Sequence, residues 1–151
     1  MRAVIQRVES VCVKINNQEF SSIKEGILLF LGVEKEDTTT DADYILEKSI
    51  NLRIFEDEQD KMNRSLLDVN GSLMVISQFT LLADCTKGRR PSFVKAEEPS
   101  KAIDLYEYFV KQASGKVKIL ETGKFQEMMQ IELINDGPVT ILLDSKVNGK
   151  L

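Results

Sequence analysis

Hydrophobic and polar residues are mixed from Arg2 to Val8, and from Val11 to Ile15 they alternate, with Val11, Val13 and Ile15 on one face. A period of two predicts strands, so two are expected here. Asn16-Asn17 supplies a turn, and Phe20 to Ile23 returns as the second arm of a hairpin. The run Ile27 to Val33 is apolar on both faces, which predicts a central strand rather than an edge.

Past a polar loop at Glu34 to Thr39, the period changes. Thr40 and Asp43 have capping-box spacing, and Ala42, Ile45, Leu46 and Ile50 recur at helical intervals, predicting a helix from about Asp41 to Leu52. Arg53-Ile54-Phe55 reads as extended and Glu56 to Lys61 as a charged turn, while Asp68 to Gly71 leads into the apolar strand Leu73-Met74-Val75-Ile76. Ala83 to Ala96 is a long segment without periodicity, and segments of that length inside a compact domain often carry function. A second helix opens at Ser100 or the residue before it, carries Ala102, Tyr106, Phe109, Val110 and Ala113 on one face, and stops at Gly115. Lys116 to Glu121, Met129 to Ile134 and Val139 to Asp144 complete roughly eight strands. Strands in runs with two helices predict an α+β domain in which sheet packs on sheet and helices cover one side.

Composition narrows the chemistry. With 151 residues and 42% hydrophobic content, residues 1–151 are expected to form one domain with a core that needs no disulfides. Cys12 and Cys85 are far apart and lack metal-ligand spacing, which suits a reducing cytoplasm; no metal or cofactor is expected. Arg2, Gln6 and Arg7 interrupt the N-terminal apolar pattern, so neither a signal peptide nor a membrane span is expected. A net charge of -4 argues against neutralising many phosphates along a nucleic acid. It leaves room for a local contact, for which Lys87, Arg89, Arg90 and Lys95 form the densest patch, a solvated loop being the alternative. The chain has no histidine, which excludes Ser-His-Asp triads, Cys-His pairs and imidazole acid–base catalysis.

Two polar stretches end apolar strands: Ser77-Gln78-Phe79-Thr80-Leu81 and Asn135-Asp136-Gly137-Pro138-Val139-Thr140. The first sets hydroxyls and an amide around an aromatic ring. In the second, Gly137 lacks a Cβ and Pro138 lacks an N–H, so carbonyl oxygens can be presented without side-chain shielding. Each taken alone also fits an ordinary strand end or turn.

Together these stretches resemble the two signature motifs of the D-aminoacyl-tRNA deacylase family (D-tyrosyl-tRNA deacylases). The likeness extends through Met1 to Val8, Asn51 to Phe55, Lys61-Met62-Asn63 and Lys87 to Phe93. The resemblance implies a homodimeric three-layer β/β/α domain, with two main helices covering barrel-like packed sheets. It implies hydrolysis of the ester of D-aminoacyl-tRNA at the acceptor end of the RNA, with a glycyl ester on tRNA-Ala also accepted. Ser77, Gln78, Phe79 and Thr80 would form the catalytic stretch, and Phe125, Met129, Val139 and Thr140 would bind substrate. Gly137 and Pro138, joined by a cis bond, would send carbonyl oxygens into the partner subunit's pocket and exclude L side chains. Lys87, Arg89 and Arg90 would touch RNA.

The residue types agree with this economy. An aminoacyl ester is already activated and has a ribose 2′-hydroxyl beside its carbonyl, so a site that positions the ester and supplies N–H donors near Phe79 and Thr80 needs no histidine. Thr80 lacks a base and is a better positioning group than nucleophile. Gln78 and Ser77 are hydrogen-bonding groups that would orient the adenosine and ester. The chain departs from the family where Phe125-Gln126-Glu127-Met128-Met129 replaces the usual Phe-Gly-Ala before a Met, and at Val11, where Ala is usual. The alternatives are a non-catalytic nucleic-acid-binding module using the Lys87–Arg90 loop, and a purely structural dimer.

Overall fold

The computed structural model describes residues 1–148. In it the alternation of the N-terminal segment runs through one strand, β1 (Arg2–Ile15), where the sequence pattern predicts two. Register shifts between Gln6 and Val8 and between Val8 and Ser10 absorb the break in periodicity. Ala3 and Ile5 therefore face one core and Val8, Val11 and Val13 another.

Along one edge, β1 pairs with β8 (Gln130–Asp144) for almost its whole length. Its other edge is shared by β3 (Gly26–Gly32) and β2 (Gln18–Ile23), both antiparallel. Parallel to β3 lies β6 (Ser72–Ser77), followed by β7 (Ile119–Thr122), which is shorter than the predicted Lys116–Glu121 strand. The sheet curls until β7 meets β2, where the Ser21 hydroxyl donates to the Thr122 carbonyl at 2.7 Å. The result is the expected mixed α+β architecture with a nearly closed, barrel-like sheet. Two short strands, β4 (Phe55–Glu56) and β5 (Met62–Arg64), form a separate hairpin around the predicted charged turn.

The inside of the curl holds Val8, Val11, Val13, Ile23, Leu28, Met74 and Ile76. Helices α1 (Thr39–Asn51) and α2 (Pro99–Ser114) cover the outside, burying Ile45, Leu46, Ile50, Tyr106 and Phe109 against Ile5, Leu29 and Val75. Each fully buried Leu or Ile in this layer contributes about 1.5–3 kcal/mol. Pro99 at the first turn of α2 and Gly115 at its end match the predicted limits.

The capping box of α1 is Thr38 with Asp41, not Thr40 with Asp43: the Thr38 N–H donates to Asp41 Oδ2 at 2.8 Å. The reason is tertiary, because Asp41 also accepts from the Ser145 hydroxyl of α3 (Ser145–Asn148) at 2.7 Å. The same Ser145 hydroxyl accepts from the fully buried Met1 ammonium, which is paired with Asp37 at 2.7 Å. Burial raises the Asp37 carboxyl above its ordinary range against the pull of that ammonium. Burial also opposes ionisation of Asp41, but hydrogen bonds from Ser145 and Thr38 outweigh it and hold the group below its ordinary range.

The second departure concerns β8. Two strands around an Asp-Gly-Pro turn are predicted, whereas one strand runs through the motif and carries it as a bulge. Gln6 pairs with Thr140 and Val8 with Asn135, so the four residues from Asp136 to Val139 stand opposite Arg7 alone.

Candidate functional site

The first motif begins where β6 ends. Gln78 N–H donates to the Leu31 carbonyl at 2.8 Å, and the chain then tightens into a single 3-10 turn, Phe79–Leu82. The close passage of this turn over β3 requires Gly32, where a Cβ would lie 2.5 Å from Leu82 Cδ2 and 3.0 Å from the Gln78 carbonyl oxygen. The turn points Phe79 outward, 55% exposed, and sets its ring edge-on to Phe93 at 5.1 Å.

These residues form one wall of a cavity of about 680 Å³. Ser77, Gln78 and Phe79 line it together with Phe125 and Met129, so five of the predicted site residues meet there. Phe125 is held from behind by Tyr106, whose ring lies 5.7 Å away and whose hydroxyl donates to the Val75 carbonyl at 2.9 Å. Burial pushes the Tyr106 hydroxyl up to about 12, so it remains a neutral donor. Thr80 sits at the edge of this wall, its hydroxyl accepting a hydrogen bond from the Gln78 side-chain amide. That contact takes one of the two lone pairs and lowers the nucleophilicity of the oxygen, and with no histidine in the chain to take its proton Thr80 is better suited to donate a hydrogen bond than to attack.

The cavity also contains residues the sequence reading did not select. Phe93 arrives from the long aperiodic segment, Glu97 and Glu98 from the start of α2, and Met128, 88% exposed, from the lip. The sequence signal for Phe93 is an aromatic residue within the long aperiodic segment from Ala83 to Ala96. Gln126 and Glu127 line the cavity too. Gln126 takes a left-handed φ of 61°, and Glu127 pairs with Lys124 at 2.9 Å.

Lys87, Arg89 and Arg90 lie outside the cavity on an exposed loop. The loop has defined ends: Asp84 and Ser92 exchange backbone hydrogen bonds of 2.8 and 2.9 Å. Asp84 also accepts from the Thr86 hydroxyl and N–H at 2.7 and 2.9 Å, contacts that lower its pKa.

Gly137, Pro138, Val139 and Thr140 do not line the cavity of the same chain. Val139 packs against the helix-side core, and Thr140 bonds to Gln6 and Asn135. The Gly137-Pro138 peptide is cis, and Gly137 has a φ of 129° that only glycine adopts freely. Beneath the bulge lies Arg7, 6% exposed, whose guanidinium donates to the carbonyls of Asp136 at 3.1 Å and Ile54 at 2.6 Å. An arginine in an otherwise apolar strand register was the available signal for this support. No group of three or more His, Cys, Asp or Glu side chains among the described residues is placed to hold a metal ion, and no helix among them is long and apolar enough to cross a membrane.

Residues 4–144 match the family model described as D-Tyr-tRNA(Tyr) deacylase. The D-aminoacyl-tRNA deacylase of Syntrophus aciditrophicus is 58% identical over 146 residues, covering 97% of this chain and 98% of that protein. The enzyme of the same name from Kosmotoga olearia is 56% identical with the same coverage. A solved structure described as a c-Myc DNA unwinding element binding protein superposes with a TM-score of 0.92 at 37% identity, covering 96% of this chain and 99% of that one. Another, described as a probable eukaryotic D-amino acid tRNA deacylase, shares the fold with a TM-score of 0.77 at 14% identity, over 94% of this chain and 97% of that one.

Proposed function

The chain belongs to the D-Tyr-tRNA(Tyr) deacylase family, and on that premise we propose that it hydrolyses the ester of D-aminoacyl-tRNA, releasing the D-amino acid and the tRNA. The observation that carries this reading is the meeting of Ser77, Gln78 and Phe79 with Phe125 and Met129 around one cavity at the end of β6. Its aromatic and thioether walls suit the flat base of the terminal adenosine, and its amide and hydroxyl groups suit the ribose and ester.

In this reading the protein positions the substrate and the substrate supplies the reactive group. Backbone N–H groups near Phe79 and Thr80 stabilise negative charge on the carbonyl oxygen, and the ribose 2′-hydroxyl assists attack. The Thr80 hydroxyl, which accepts from the Gln78 side-chain amide, keeps its proton to donate to the substrate. The absence of histidine fits a site of this kind.

Chiral selection falls to the Gly137 and Pro138 carbonyl oxygens. Because the motif does not line its own chain's cavity, the filter needs a second copy. A homodimer is supported by the apolar face of Leu142, 73% exposed, beside Val4 and Phe30 in register, with Ile134, 53% exposed, further along β8. Such a filter passes glycine, which has no side chain to reject, so a glycyl ester on tRNA-Ala is a further substrate. Lys87, Arg89 and Arg90 grip the acceptor end, in the cytoplasm where charged tRNA is found. The whole chain, 1–151, acts as one deacylase domain.

The test is hydrolysis of matched D-, L- and glycyl esters, on tRNA ending in adenosine or 2′-deoxyadenosine. Release from the D- and glycyl esters, sparing of the L-ester and loss of rate without the 2′-hydroxyl are expected. A second reading, a nucleic-acid-binding module, draws on the exposed basic loop and on the description of the 37% identical structure as a DNA-element binder. It predicts that the protein protects the D-ester from spontaneous hydrolysis.

A further inference from the structure

Arg7 supports the bulge of β8 from the core, and a second set of contacts holds it from outside. Thr140 Oγ1 accepts from Gln6 Nε2 at 3.2 Å and from Asn135 Nδ2 at 3.2 Å. The other end of the Asn135 amide accepts the Val139 N–H at 3.2 Å. Asn135 thus straddles Asp136, Gly137 and Pro138, fastening the strand beyond the bulge to the strand before it. Gln6, from β1, ties the same hydroxyl to the neighbouring strand.

A hydroxyl has two lone pairs and one proton. With both amides donating to Thr140, its lone pairs are taken and its orientation is set. None of the three side chains lines the cavity or enters the core. Their hydrogen bonds are on or near the surface, where they contribute little to global stability but can fix local direction.

We propose that Gln6, Asn135 and Thr140 are positioning residues that aim the Gly137 and Pro138 carbonyl oxygens, so that discrimination between D- and L-acyl groups depends on this amide–hydroxyl clamp. The inference rests on the acyl-filter reading above and adds the residues that hold the filter in register. Arg7 fixes Asp136, at the start of the bulge; the clamp fixes residues 139 and 140, at its end.

The experiment is kcat/KM for matched D- and L-aminoacyl-tRNA, with Tm measured in parallel, for the wild type, Thr140→Val, Thr140→Ser, Asn135→Ala and Gln6→Met. Thr140→Val and Asn135→Ala are expected to lower the D/L ratio about tenfold, mainly by raising turnover of the L-ester. Thr140→Ser keeps an acceptor oxygen and is expected to hold the ratio within about threefold of wild type. Gln6→Met removes one donor at nearly constant volume and serves if the other variants fail to fold; a fall in the ratio is expected. A wild-type ratio in folded Thr140→Val or Gln6→Met, or a loss in Thr140→Ser equal to that in Thr140→Val, overturns the clamp and leaves the function standing. A wild-type enzyme with no D/L preference overturns the filter, and the clamp's role in it with it.

Discussion

Arg7 Nε lies 3.0 Å from the Asp136 carboxylate and 3.1 Å from the carbonyl oxygen of the same residue, so one buried guanidinium fixes both side chain and backbone at the start of the bulge. The two contacts are unequal. Asp136 is half exposed, and replacing its carboxylate by an amide leaves the carbonyl contact in place. Asp136→Asn is therefore expected to cost under about 1 kcal/mol. Arg7→Met removes the partner of the Ile54 and Asp136 carbonyls together and is expected to cost about 2–4 kcal/mol. Urea unfolding of both variants checks this, and equal losses would contradict it.

Gly137 admits no side chain. At its φ of 129° an added Cβ would sit 2.8 Å from Val139 Cγ2, 3.1 Å from the Val139 nitrogen and 3.2 Å from Arg7 Nη2. The Val139 side chain can turn away, but its backbone nitrogen and the fixed guanidinium cannot. Gly137→Ala is expected to destabilise by about 1–3 kcal/mol and to lower D-ester turnover more than ten-fold. Thermal unfolding and kcat on the D-ester measure the two effects separately.

How far the sequence foretold this structure depends on the range of the contacts involved. Ile27 to Val33, apolar on both faces, is the central strand it was expected to be, and Pro99 and Gly115 bound α2 as local chemistry requires. At α1, Thr38 with Asp41 and Thr40 with Asp43 have the same spacing, and the choice is made by Ser145, 104 residues from Asp41. The Asn-Asp-Gly-Pro composition marked a turn. It became a bulge because β1, with Arg7 129 residues away, pairs on both sides of it. Of the candidate site residues, Ser77 to Phe79, Phe125 and Met129 line one cavity, whereas Glu97, Glu98 and Met128 reach it only through the packing of α2 and the 123–129 segment.

Acid should weaken the fold through a defined set of carboxylates. Side-chain and backbone hydrogen bonds lower Asp57 through Asn63 and Lys61, Asp68 through Ser65, and Asp84 through Thr86. A depressed folded-state pKa gives stability that is complete above the ordinary value of 3.8 and is lost as pH falls through the folded value. Asp37 runs the other way, because its pKa is raised. Tm is expected to drop as pH falls below the ordinary carboxylate value of 3.8, and the Asp57→Asn, Asp68→Asn double variant should show a shallower drop. An unchanged slope in that variant would assign the acid sensitivity elsewhere.

Gln126 occupies a left-handed conformation, φ 61°, where the resemblance would place glycine. Its side chain is exposed, so glycine there removes backbone strain and loses little packing. After the entropy cost of glycine, Gln126→Gly is expected to stabilise by roughly 0.5 kcal/mol and to raise Tm by a few degrees. A lower Tm would mean that the Gln126 side chain holds the lip of the cavity in a way its backbone angle does not reveal.

The basic loop carries the last expectation. Lys87, Arg89 and Arg90 are exposed on a turn anchored by Asp84 and Ser92, outside the cavity. Contacts of this kind act through counterion release: each phosphate neutralised adds roughly 0.7–0.9 to the slope of log affinity against log salt. Replacing all three by Ala is expected to raise KM for D-aminoacyl-tRNA and to flatten its salt dependence by about 2 in that slope, with kcat on saturating substrate nearly unchanged. The same variant separates positioning from chemistry, because a group taking part in ester cleavage would lower kcat at every salt concentration. A salt slope equal to wild type would remove the loop from the RNA interface and return it to the solvated surface.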